Sequence, residues 1–346
     1  MSNHSETYPN SLHELDERLS RPDFGVLDIL RQNPGDCMVL GAAGKMGFHL
    51  TRMLQRAMDS LGQRDLVRAV SRFSKPDSRA AFDAASIPIL RADLSDPHAL
   101  DALPNAQNIF FLAGIKFGTA DQPHLLRKMN QEMPSLVANR YTDSKLVAMS
   151  TGCVYSFTSV DSGGSKETDE MKPPGAYAQS CIERENAFRD QAKKTGTKVT
   201  LVRLNYSVEL RYGVLVDIAK CVLMDQPVDI STGYVNVIWQ RDAVSHIIQS
   251  LSLVDAPASV VNVTGNEILS VRQIAEGFAY RMGKNVRFVG DESPECWLSN
   301  NRTARSTFGD PEMPIERVMD WITEWLQSGN PTLGKPTHFQ IRDGNY

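Results

Sequence analysis

Three glycines spaced three apart, in Val39-Leu40-Gly41-Ala42-Ala43-Gly44-Lys45-Met46-Gly47, form the pattern that points most directly to chemistry. Gly41 allows a tight turn, Gly44 lets a pyrophosphate approach the backbone, and Gly47 lets a helix pack close to the preceding strand. A helix beginning at Lys45 and Met46 offers free N–H groups and a partial positive charge to phosphates. The same turn could serve structure alone. If a dinucleotide binds, its ribose is read at the end of the second strand, where a carboxylate bonds a 2′-hydroxyl and an arginine suits a 2′-phosphate. Here the segment is Val70-Ser71-Arg72-Phe73, and Asp65 falls before the strand. The cofactor is NAD or NADP, with Ser71 and Arg72 leaning toward NADP. Arg72 as a solvated charge, or stacked on adenine, is the alternative. Asp93, with Leu94 beside it, is placed to meet the adenine amino group. Helix capping is its other reading, which Asp96 before Pro97 equally supplies.

The elements that must position these residues alternate. Short apolar runs at 37–40, 66–70, 88–90, 109–112, 146–149 and 198–203 read as strands. Helical periodicity lies between them at 46–61, 122–140 and 177–194. Such alternation predicts an α/β fold, a doubly wound parallel sheet of Rossmann type. Beyond Leu204 the rhythm weakens into helices at 212–224, 242–253, 271–282 and 315–326, with strands at 235–239 and 260–263. We expect an N-terminal helical extension over 1–35 and a dinucleotide-binding domain over 36–205. Residues 206–346 are expected to form mainly a smaller substrate-binding lobe, with segments near 235–265 returning to the sheet. The extension reads either as one or two helices packed outside the main domain or as a partly ordered tail.

Composition narrows the classes. The 346 residues are 41% hydrophobic and 23% charged, with net charge −4 and an isoelectric point near 6.0. No basic excess argues for nucleic acid. Apolar runs such as 108–114 are far too short to span a membrane. Residues 1–10 lack the basic-then-apolar order of a signal peptide. Five cysteines (Cys37, Cys153, Cys181, Cys221, Cys296) are scattered, with no metal-ligand spacing among them and the seven histidines. A reducing, cytoplasmic setting without disulfides or metal is expected.

Further segments carry a family resemblance. Leu112-Ala113-Gly114 follows the fourth strand, and Asn130 lies in the next helix. Ser150-Thr151-Gly152-Cys153-Val154-Tyr155 follows the fifth strand, and Pro174-Gly175-Ala176-Tyr177 opens a helix. Arg203-Leu204-Asn205-Tyr206, Gln240-Arg241-Asp242-Ala243 and Val261-Asn262-Val263-Thr264-Gly265 come later. Over about residues 36–290 the chain resembles the extended short-chain dehydrogenase/reductases, the NAD-dependent epimerase/dehydratase family. The resemblance implies hydride transfer on a sugar or sugar-derived acid, a carbohydrate substrate and a homodimer. It implies Tyr177 as acid/base, Thr151 orienting the substrate oxygen, and Ala113 and Gly114 lining the nicotinamide side. It places Lys116, Asn205, Arg211, Trp239 and Gln240 on the substrate side. Lys116 and Arg211 would suit an anion, either a sugar acid or the diphosphate of a nucleotide sugar. For Arg211 an interlobe salt bridge is the competing reading. The segment Lys335-Pro336-Thr337-His338-Phe339 would cap the lobe or a dimer partner.

One departure matters. The family pattern is Y-x-x-x-K, whereas this chain reads Tyr177-Ala178-Gln179-Ser180-Cys181. Cys181 therefore stands where a lysine would bond the nicotinamide ribose and lower the tyrosine pKa from its usual ~10. Three explanations compete. Arg184 or Lys116 replaces the charge in space, both being otherwise surface salt-bridge residues. Alternatively, Tyr177 acts as a neutral acid. Or catalysis is lost, leaving a cofactor-binding sensor or scaffold. Cys181 itself reads as an apolar filler rather than a nucleophile. Gly152 and Cys153 stand where 4,6-dehydratases carry Asp and Glu, which argues against that elimination.

Overall fold

Strands buried on both faces should read as apolar runs, as the first does throughout and the fourth does after Asn108. The computed structural model describes residues 7–64, 66–115 and 122–342; Asp65 and Lys116 lie outside the described residues. Its main sheet contains β1 (Cys37–Leu40), β2 (Val67–Ser71), β3 (Ile89–Arg91), β4 (Asn108–Phe111), β5 (Lys145–Thr151), β6 (Lys198–Leu204) and β7 (Ser259–Val263). All seven are parallel, in the order β7-β6-β5-β4-β1-β2-β3. The order reverses between β1 and β4, both of which pair from Cys37 onward. A crevice opens there, beyond the carboxyl ends of the strands.

Side chains alternate across the sheet with period two. Val39 and Phe110 face one core with Leu50, Met53 and Leu54 of the Gly47–Ser60 helix. Met38, Leu40, Ile109 and Phe111 face the other, with Val137 and Phe188. A third, mainly helical core lies in the C-terminal half. Helices Val214–Leu223, Val271–Met282 and Ile315–Gln327 build it around Trp239, Phe278 and Trp325.

The N-terminal residues differ from the expected outer layer. Ser11 caps the helix Leu12–Leu19 and Asp23 caps Phe24–Gln32. Leu15 and Leu19 enter the helical core, while Val26, Ile29 and Leu30 enter a sheet core. Asp16 pairs with His49 at 2.9 Å and Arg211 at 3.2 Å, and Glu17 with Arg56 at 2.9 Å. The extension joins the two halves.

The strand expected at 235–239 is two strands. Tyr234–Val235 pairs antiparallel with Leu269–Ser270, and Ile238–Trp239 pairs parallel with Ser207–Val208. Between them the Asn236 carbonyl accepts from Thr264 Oγ1 instead of joining a ladder. Short helices at Pro76–Ala84, Pro97–Asp101 and Arg302–Phe308 were not expected from periodicity. The helix expected at 122–140 passes through a π turn at Lys128–Glu132. Among the described residues no helix is long and apolar enough to cross a membrane, and no cluster could hold a metal ion.

Candidate active site

The glycine turn sits at the mouth of the crevice. Gly41 has φ +90°, and a Cβ there would meet the Ala113 backbone nitrogen at 2.6 Å. Gly44 meets only the Gly41 carbonyl, so its open side faces a cleft of about 300 Å³. A Cβ on Gly47 would collide with the Ala42 carbonyl, which keeps the helix start against the turn. Room for a phosphate beside Gly44, at a helix start with no side-chain cap, fits a dinucleotide diphosphate.

At one end this cleft is lined by Ser71, Arg72, Phe73, Ser74, Lys75 and Ser78. Lys75 and the two extra serines were not singled out from sequence. Their signal was the run of small hydroxyl and cationic residues after Arg72. Asp93 and Leu94 line the cleft as well. Asp93 Oδ1 accepts from Ser95 N at 3.0 Å and Ser95 Oγ at 2.7 Å, and these bonds hold its carboxyl below the ordinary range. The helix cap is Asp96, which accepts from His98 N.

Ala113 and Gly114 also line the cleft, and Arg184 of the helix Ala176–Thr195 packs against Gly114. Thr151 Oγ1 accepts from Cys153 N at 3.2 Å. Tyr177 is half-buried and packs on Val154, Tyr155, Cys181 and Ile182. Burial and the Cys181 and Cys153 thiols push the phenol well above the ordinary tyrosine range, against the pull of the Arg184 guanidinium. Cys181 is fully buried, and burial raises its thiol, so it is no ready nucleophile. It lines neither the cleft nor the cavity described next.

Arg184 corrects one expectation. It is no surface salt-bridge residue: it is 8% exposed, and it donates to Asn130 Oδ1 at 2.5 Å and Met149 O at 3.2 Å. Asn130 Oδ1 also accepts from Ile115 N at 3.0 Å, and its Nδ2 donates to Ile115 O at 2.9 Å. The π turn at Lys128–Glu132 carries this asparagine.

Beyond Lys45 and Met46 a second cavity of about 170 Å³ is lined by Thr151, Cys153, Asn205, Tyr206, Tyr212 and Thr337, among others. Lys45 lies 3.6 Å from the Tyr212 ring centroid. Lys45 was expected only under the diphosphate, and its contact with Tyr212 carries it to this side. Asn205 lines the cavity while its amide bonds Asn236 Oδ1 at 2.8 Å. Three expected substrate residues are not brought here. Arg211 is paired with Glu209 at 3.1 Å and Asp16 at 3.2 Å, the salt-bridge alternative. Gln240 is fully buried and contacts His49 at 2.9 Å. Trp239 is wholly core. Lys116 is outside the described residues. Tyr212 and Thr337 were missed, since nothing local marks a residue that joins a site through the fold.

A model of the NAD dependent epimerase/dehydratase family matches residues 37–208. No sequence among the curated proteins matches the chain. Solved structures align along most of it. MoeE5 in complex with UDP-glucuronic acid and NAD is 20% identical with a TM-score of 0.68, covering 85% of this chain and 99% of that one. UDP-glucuronic acid 4-epimerase from Bacillus cereus, bound to NAD and a fluorinated UDP-glucuronic acid, is 17% identical with a TM-score of 0.69, covering 85% and 99%. UDP-glucose 4-epimerase from Thermus thermophilus, complexed with NAD, is 17% identical with a TM-score of 0.67, covering 84% and 99%. At these identities the likeness is one of fold.

Proposed function

The chain belongs to the NAD dependent epimerase/dehydratase family of enzymes, and from that premise we propose that it epimerises or oxidises a sugar or sugar acid, carried on a nucleotide, by hydride transfer. The observation that carries this reading is a cleft over the glycine turn, beside a second cavity that begins at Lys45 and Met46 and is lined by the strand-end Thr151; the half-buried Tyr177 stands on the helix whose Arg184 packs on the cleft residue Gly114. A bound nicotinamide would supply the hydride acceptor or donor. The backbone at Gly41 and Gly44 would hold the diphosphate, and Ala113 and Gly114 would wall the nicotinamide side. Thr151 Oγ1 would orient the substrate oxygen, and Tyr177 would exchange its proton as the hydride moves at the same carbon. With its phenol held neutral by burial, Tyr177 is ready to give a proton when a carbonyl is reduced, and must first lose its own before it can take one from a substrate hydroxyl being oxidised.

Two finer assignments belong to this proposal. NADP is favoured over NAD, supported by Arg72 and Lys75 with three serines at the ribose end. An anionic substrate is supported by Lys45 at the second cavity; Arg211 no longer supports it. Two of the solved structures hold UDP-glucuronic acid or its fluorinated form, which makes nucleotide-linked uronic acids the first compounds to test.

The test incubates the chain with NADP or NAD and a panel of nucleotide sugars, following reduced-nicotinamide absorbance and epimer formation. Turnover is expected in the parent, with a loss of about 10²–10⁴-fold in Tyr177→Phe. Cofactor binding without turnover across the panel would favour a sensor and overturn the assignment, as would a fully active Tyr177→Phe.

A further inference from the structure

Arginine is seldom taken out of water without a carboxylate partner. Arg184 is 8% exposed, yet the carboxylate next to it, Glu185, is committed to Arg203 at 2.7 Å and Arg189 at 3.1 Å. Arg184 donates instead to two neutral acceptors, Asn130 Oδ1 and Met149 O. Its Nε has no hydrogen-bond partner among the described residues.

The surroundings are shaped for this cation. A Cβ on Gly114 would collide with the guanidinium, whose Cζ would lie 2.9 Å away. Asn130 is fixed by the Ile115 backbone and by its Nδ2 bond to Ser180 Oγ at 2.9 Å, so its Oδ1 is already aimed. The charge acts on Tyr177 and Cys181, both on the same helix as Arg184. Cys153, on the turn after β5, also acts on the phenol, and Tyr155 packs beside it. Of these groups only the guanidinium is positive. The neutral thiol at position 181 cannot favour an anion, whereas a cation in a low-dielectric interior can.

We infer that Arg184 is the positive charge that serves the Tyr177 phenol: a positioning residue, about one turn beyond Cys181, that favours the phenolate through space. The inference rests on the reading of Tyr177 as the acid/base group and deepens it. Asn130 and Gly114 act at one remove, the first by aiming the guanidinium and the second by leaving room for it.

The test places a fluorinated tyrosine at position 177 of the full chain, which lowers the phenol's titration into the range where the protein is folded. Its midpoint is read by fluorine NMR. In Arg184→Met the midpoint should rise by about one pH unit or more. Arg184→Lys should return it toward the parent value, and so should Cys181→Lys placed on the Arg184→Met background. If Arg184→Met does not fold, Arg184→Gln against Arg184→Lys makes the same comparison of neutral with charged. A midpoint that stays put when the charge is removed overturns the inference. So does one that rises equally in Arg184→Lys, since the cause would then be packing. The titration uses no turnover, so an inactive sugar panel leaves it readable. Conversely, an unmoved midpoint leaves an active enzyme with Tyr177 working as a neutral acid.

Discussion

At Gly114 the absence of a side chain admits the Arg184 guanidinium, so the residue answers to packing as much as to cofactor access. Gly114→Ala should cost about 1–3 kcal/mol, as overpacking does, and should lower turnover by displacing Arg184 or Asn130. Chemical denaturation and steady-state rates check this. A neutral change in both would mean that the guanidinium has somewhere else to go. Single residues were unevenly legible. Gly41, Gly44 and Gly47 announced themselves because a turn of that shape tolerates little else. Arg184 did not, because Glu183-Arg184-Glu185 reads as a solvated helix face and its burial depends on Gly114, seventy positions earlier in the chain. Gln240 misled for the same reason, since its partner His49 is far away in sequence, and so in part did Arg211, held by Asp16 as well as by the nearby Glu209.

Among the elements, the helix Ala176–Thr195 has the largest task, because it holds Tyr177, Cys181 and Arg184 in fixed relation to β5. A buried network ties it down. Glu185 accepts from Ser150 Oγ at 2.6 Å, from Arg203 Nε at 2.8 Å and from Arg203 Nη2 at 2.7 Å. Arg203 Nη1 donates to the Tyr155 hydroxyl at 2.6 Å, and that hydroxyl donates to Asn262 Oδ1 at 2.9 Å. The network thus links β5, β6 and β7 to the helix. Arg203 and the Ser150 hydroxyl hold the Glu185 carboxyl below its ordinary range, although burial opposes them. With its folded pKa below its unfolded one, Glu185 contributes stability that is present above about pH 4.3 and is lost as pH falls through the folded value. Glu185→Gln should therefore cost about 3–5 kcal/mol at neutral pH and flatten the acid limb of the stability curve. Denaturant melts from neutral pH downward would show it, and an unchanged acid limb would remove the network from the account. The sheet strands were legible because β1 is apolar throughout and β4 is apolar after Asn108. The helices Pro76–Ala84, Pro97–Asp101 and Arg302–Phe308 were not, because they are too short to display a period.

In the molecule as a whole, the sheet and the helical core meet across the site, and the first helices bind both. Leu15 and Leu19 belong to one core and Val26, Ile29 and Leu30 to the other. The apolar spacing of Leu15, Leu19, Val26 and Ile29 does not by itself say what their faces cover. Leu19→Ala should cost about 2–5 kcal/mol while leaving cofactor affinity unchanged below the melting transition. A parallel loss of affinity would mean that the two cores are coupled through the cleft. The central claim is that a pyridine dinucleotide lies in the cleft over the turn at Gly41–Gly44. Equilibrium titration of the chain with NADP and with NAD, beside a Gly44→Val variant, tests it most directly. The account predicts saturable binding of one molecule per chain, tighter for NADP and abolished when valine fills the space beside Gly44. Failure of both nucleotides to bind, or binding indifferent to Gly44→Val, would contradict it.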